Sequence, residues 1–224
     1  LGVSGKGITV CVVDSGVDYT HKNLGGCFGP GCKVVMGYDF CNGPGCNGAS
    51  DPDPMDENGH GTHVAGTVAA THTTYRGLAP DAKIAALKVL NDTGDGTFDA
   101  IFAGFDFCVD YAEQFNVKII TMSLSDKREY SKETCPKTYG NRVDKALFAG
   151  IFVDAASSNE YYRNGISFPA CASGIVSVGA THDANVTGQL DQLTGFTNRG
   201  QNLDVLAPGS LITAPSSHKG NTCG

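Results

Sequence analysis

Short, nearly continuous apolar runs alternate along this chain with stretches whose apolar residues recur at helical spacing. Residues 7–13, 33–40, 83–90, 117–124 and 150–156 read as strands, and 175–180 and 203–207 as two more. Between them, Val64, Ala65, Val68 and Ala69 make one helical stripe. Ile101, Phe102, Phe105, Val109 and Ala112 make the clearest one, and Val143, Ala146 and Leu147 a shorter one. Strands that are apolar on both faces and separated by helices belong in a parallel sheet covered on both sides. The pattern therefore predicts an α/β fold: a doubly wound, mostly parallel sheet with helices on both faces. Functional residues in such sheets gather at the carboxyl ends of the strands. Residues 42–58, rich in Gly, Pro and Asp, read as a surface loop.

The length of 224 residues fits one domain spanning 1–224, and no segment resembles a linker. Hydrophobic residues at 41% and charged residues at 17% describe a globular protein, and the 30 glycines suit many tight turns. A net charge of −7 without a basic run argues against nucleic acid or an anionic membrane as partner. No apolar stretch approaches the roughly 18 residues that a membrane span requires. No signal-like segment precedes Leu1.

Nine cysteines change this picture, because a chain kept in a reducing compartment seldom carries so many without a metal. Cys27 to Cys32 and Cys41 to Cys46 enclose near-identical Gly/Pro turns, stapled locally or paired with each other. The spacing is not that of a zinc site. Cys135 and Cys171 sit in loop-like surroundings and are suited to pair, whereas Cys11, inside an apolar strand, reads as a small buried hydrophobe. Cys108 lies on a helical face and stays open. An oxidised, secreted protein is the reading that follows.

The chemistry begins where the first strand ends, at Asp14 in Val-Val-Asp-Ser-Gly. His60 lies in Asn-Gly-His-Gly-Thr-His-Val-Ala-Gly, at the start of a helix on the same rim. Alone, the aspartate could cap a turn or hold a ribose, and the histidine could be a core residue. Together they form two thirds of an Asp/His/Ser relay. A buried carboxylate holding one ring NH fixes the tautomer that leaves the other nitrogen free as a base. A dinucleotide site fails, since no Gly-x-Gly-x-x-Gly follows the strand. A zinc peptidase fails because His60 and His63 lack the intervening Glu of a His-Glu-x-x-His helix.

These two motifs resemble the first signatures of the subtilisin-like serine proteases, and the likeness runs in order along the chain. It includes Gly77-Leu-Ala-Pro-Asp-Ala-Lys-Ile84, Ile120-Thr-Met-Ser-Leu124, Phe168-Pro-Ala170, Val176-Ser-Val-Gly-Ala-Thr181, Phe196-Thr-Asn-Arg-Gly200 and Val205-Leu-Ala-Pro-Gly209. The resemblance implies a secreted serine endopeptidase acting on polypeptides, with Asp14 and His60 as catalytic residues. It implies that Asn159, in Ala-Ala-Ser-Ser-Asn-Glu, donates to the oxyanion. Substrate-binding roles fall on Gly94, Asp95 and Gly96 as an edge for an extended peptide, and on Ser123, Leu124, Ser125 and Ser158. It further implies no cofactor for catalysis, an N-terminal propeptide (a zymogen), a monomer and a possible structural calcium with unknown ligands.

Some residues depart from the family. Ser125 and Ser158 stand where glycines are usual in the primary specificity pocket, and should narrow it against bulky aromatic side chains. Asp154 puts a charge into an apolar strand. Asp51, Asp53 and Asp56 offer carboxylates for calcium but are ordinary turn formers too. Asn91 and Asn185 begin glycosylation sequons. The Gly-Thr-Ser-Met-Ala nucleophile motif does not appear before Gly224, and Ser216 and Ser217 lie in a polar loop. The expectation is a chain cut short of its serine-bearing segment. The alternative is a non-catalytic relative that binds peptides or proteins in the old cleft.

Overall fold

β1 (Thr9–Asp14) is buried at every position, which explains why its sequence shows no alternation. The computed structural model of the protein describes residues 2–42, 46, 49–183 and 188–217. The Asn185 sequon and the last residues of the chain lie outside them. The chain divides into two compact units, one of residues 1–121 and 213–224 and the other of residues 122–212.

In the first unit, β1 pairs in parallel with β3 (Lys83–Lys88) on one side and with β4 (Val117–Met122) on the other. β2 (Val34–Asp39) pairs in parallel with β3, giving the order β2-β3-β1-β4. Helix α1 (His60–Ala69) covers one face: Ala65 and Ala69 pack with Val10, Val12, Ile84 and Ala86. Helix α2 (Phe98–Asp110), capped by Thr97 Oγ1 accepting from the Ala100 amide, covers the other. Gly104 shows how closely, since a Cβ there would lie 2.7 Å from Val89 Cγ1. A one-turn helix, α3 (Ala112–Phe115), follows. The predicted α/β class with helices on both faces is the one found here, its strands in this unit shorter by one or two residues where turns take over.

One expectation fails in this unit. Cys11 is not a free buried thiol but forms a disulfide with Cys108 of α2. The physical reason is strand alternation: Val10 and Val12 face α1, so Cys11 faces α2, whose inner side carries Cys108. The two hexapeptide loops close on themselves, as Cys27–Cys32 and Cys41–Cys46, rather than on each other.

The second unit holds β5 (Phe152–Ala156), β6 (Val176–Thr181) and β7 (Val205–Pro208), paired in parallel in that order. Helix α4 (Arg142–Phe148) packs on β5, and Gly174 meets its Val143 and Leu147 side chains. Cys135 bonds Cys171 as the sequence allowed. Burial along β5 alternates: Val153 and Ala155 are buried, Phe152 is exposed, and Asp154 is half-buried on that more open face. That placement supplies the account of Asp154 that the sequence lacked.

Candidate active site

The carboxyl end of β1 and the amino end of α1 meet at Asp14 and His60. Asp14 is fully buried, and its Oδ1 lies 2.7 Å from His60 Nδ1. The same oxygen accepts the Ser15 amide at 2.7 Å. A carboxylate cannot donate, so Nδ1 carries the proton and Nε2 keeps its lone pair. The Asp14 charge, then the hydrogen bond to it, raises the His60 pKa above the ordinary imidazole value of 6.5 against the opposing effect of burial. Asp14 Oδ2 is buried without a partner among the described residues.

What holds this pair is a residue whose role the sequence did not reveal. Asp56, fully buried, accepts Ser15 Oγ at 2.9 Å and the Gly59 and Asn58 amides at 2.9 and 3.0 Å on Oδ1. Its Oδ2 takes the amide and hydroxyl of Thr62. Ser15 Oγ in turn accepts the Gly61 amide at 2.9 Å, and Asn58 Oδ1 the His60 amide at 3.1 Å. The first amides of α1, which have no partners within the helix, are thus taken by side chains attached to β1 and its approach loop. A negative charge at that end also suits the helix dipole. Glycine is required at two points here. Gly59 enters the helix at φ 104°, and a Cβ on Gly61 would lie 2.1 Å from the Gly16 carbonyl oxygen. The sequence signal for this role is an acid placed just before the helix it caps.

Asp51, Asp53 and Asp56 do not converge on a cation. Asp51 accepts the Asp53 amide, and Asp53 accepts the Met55 amide and Tyr19 hydroxyl. Among the described residues no group of three or more His, Cys, Asp or Glu could hold a metal. No helix among them is long and apolar enough to cross a membrane. Ser217 spends its hydroxyl on the Asp56 carbonyl, 2.9 Å away.

Gly94, Asp95 and Gly96 form an exposed turn closed by the Leu90–Gly96 bridge, with Asn91 Oδ1 accepting the Thr93 and Asp95 amides. Asn58 Nδ2 donates to the Asp92 carbonyl at 2.9 Å, joining this turn to the His60 approach.

In the second unit, Ser123 and Leu124 follow β4 and are half-buried. Ser125 Oγ lies 2.6 Å from Ser158 Oγ, so these two predicted pocket residues are joined. Ser158 adopts φ 82°, the left-handed region that favours glycine, and its hydroxyl reaches Glu160 Oε1 at 3.1 Å. Asn159 is exposed, and its side-chain amide makes no hydrogen bond among the described residues.

Residues 5–223 match Peptidase_S8, the Subtilase family. The chain belongs to the subtilase family. It is 36% identical over 226 residues to Subtilisin DY of Bacillus licheniformis, covering 99% of this chain and 70% of that protein. Serine protease AprX of Bacillus subtilis (strain 168) is 34% identical over 94% of this subtilase, which spans 48% of AprX. A solved structure, Sphericase, superposes with a TM-score of 0.79 at 28% identity, covering 97% of this chain and 71% of that one. Subtilases need no cofactor for catalysis, since nucleophile, base and oxyanion donors are all protein groups.

Proposed function

We propose that this subtilase is a secreted serine endopeptidase in which residues 1–224 form the catalytic domain apart from its nucleophile. The observation that carries the reading is the 2.7 Å contact between a fully buried Asp14 carboxylate and the Nδ1 of His60. In this reading His60 Nε2 takes the proton from the nucleophilic serine of the full-length enzyme as that serine attacks the peptide carbonyl. Asp14 orients the ring and stabilises the imidazolium. Asn159, its amide uncommitted, donates to the oxyanion. His60 then returns the proton to the leaving amine. The edge of Gly94, Asp95 and Gly96 receives an extended polypeptide, and Ser123, Leu124, Ser125 and Ser158 shape the pocket before the cut.

Four disulfides support secretion, because such bonds persist in oxidising compartments. An N-terminal propeptide and a monomeric state belong to the same proposal. The test is fluorophosphonate labelling of the full-length protein. Labelling that disappears in His60→Ala establishes the enzyme. A folded full-length protein that takes no label, with no serine at the nucleophile position, establishes instead the non-catalytic binder.

A further inference from the structure

A groove of about 460 Å³ in the second unit is lined by Arg163, Asn164, Arg199, Gly200 and Gln201. Neither arginine side chain makes an ion pair or hydrogen bond among the described residues. In a chain of net charge −7, these two guanidinium groups are left open in one groove to a partner of opposite charge. The nearby acids are already engaged. Glu160 Oε2 accepts Asn198 Nδ2 at 2.8 Å and its Oε1 accepts the Ser158 hydroxyl. Glu129 Oε1 accepts the Asn164 amide at 3.2 Å.

The groove is held by its own backbone. Buried Asn198 accepts the Glu160 and Tyr162 amides on one oxygen, at 2.9 and 3.0 Å. The Arg199 amide donates to the Tyr162 carbonyl, and Gly165 and Arg199 form an antiparallel bridge. A Cβ on Gly200 would lie 2.8 Å from the Gly165 nitrogen, so the two walls close tightly at the base. The arginines are therefore displayed from a fixed frame, which lowers the ordering cost of gripping a ligand. The frame is continuous in sequence with Asn159, four positions before Arg163.

We propose that this groove binds acidic stretches of polypeptide, the carboxylates of Asp or Glu pairing with Arg163 and Arg199 and the amides of Asn164 and Gln201 completing the donor set. A guanidinium fork donates two parallel hydrogen bonds to a carboxylate, so two forks in one groove select clustered acids over isolated ones. The inference rests on the polypeptide substrates of the proposed function for its choice of ligand, and it makes the groove a specificity site.

The test is fluorescence anisotropy of a labelled peptide carrying an Asp/Glu run, set against the Asn/Gln peptide of equal length, on this chain itself. The acidic peptide should bind about tenfold or more tightly, and should weaken about fivefold from about 50 to 200 mM salt. Arg163→Gln with Arg199→Gln should abolish the preference at unchanged melting temperature, since neither side chain holds the fold. Arg163→Lys with Arg199→Lys should keep only part of it. Equal binding of both peptides, or a preference surviving the Gln pair, overturns the proposal. Binding needs no nucleophile, so a negative fluorophosphonate result leaves this one standing, and the reverse.

Discussion

Asp56 accepts the hydroxyl of Ser15, the residue next to Asp14, at 2.9 Å, while its other oxygen holds Thr62 two positions beyond His60. One buried carboxylate therefore grips both halves of the pair. Replacing Asp56 by Ala leaves the Asn58, Gly59 and Thr62 amides and two hydroxyls without their acceptor. The expected loss is about 3 kcal/mol or more in chemical denaturation, with the Asp14–His60 contact loosened. A variant unfolding within 1 kcal/mol of the parent, on the scale of a single hydrogen bond, contradicts this account.

The raised pKa of His60 sets the pH behaviour. The protonated ring's attraction to Asp14 adds stability that is complete below the ordinary imidazole value and is lost as pH rises through His60's own higher one. Activity runs the other way, because the base must be neutral, so turnover should climb through that same elevated value. In Asp14→Asn the largest raising charge is gone, leaving burial opposed only by the weaker pull of Asp56, so the His60 titration followed by NMR should move to lower pH. The rate of the full-length enzyme should fall by about 10⁴, the size known for a triad aspartate in serine proteases.

Asn159→Ala in the full-length enzyme should lower kcat on the order of 10²–10³ with little change in KM, the cost established for subtilisin's own oxyanion amide. A rise in KM at constant kcat places Asn159 in substrate binding instead.

The Ser125–Ser158 bridge makes the pocket prediction specific. Ser125→Gly with Ser158→Gly removes two hydroxymethyl groups that touch at 2.6 Å. Peptide-library profiling should show Phe and Tyr before the cut gaining relative to Ala. An unchanged profile means that these serines do not limit the pocket.

The disulfides should differ in weight. Cys11–Cys108 spans 97 positions and Cys27–Cys32 only 5. On loop-closure entropy, removing the first pair by double Ala substitution should cost about 4–5 kcal/mol and the second about 2. Equal losses by denaturant titration speak against the entropic origin.

The strands, the two covering helices and the Asp14 and His60 positions were legible because each rests on a local pattern: continuous apolar runs, a 3.6-residue stripe, a glycine-flanked histidine. Cys11–Cys108 was not, because a cysteine in an apolar strand looks the same whether bridged or free, and only packing brings Cys108 over it. Asp56 was hidden for a similar reason. A carboxylate that caps a helix and one that sits in a solvated loop share the same Pro- and Asp-rich surroundings, and burial alone separates them. Asp154 is explained only by the uneven cover of β5, which no local pattern encodes.

Asn58 spans between the His60 amide and the Asp92 carbonyl with its two amide atoms. His60 and the turn of Gly94, Asp95 and Gly96, the base and the substrate edge of the proposed function, consequently share one joint. Disturbing that joint would detune alignment rather than melt the protein, a defect visible in turnover and silent in thermal denaturation.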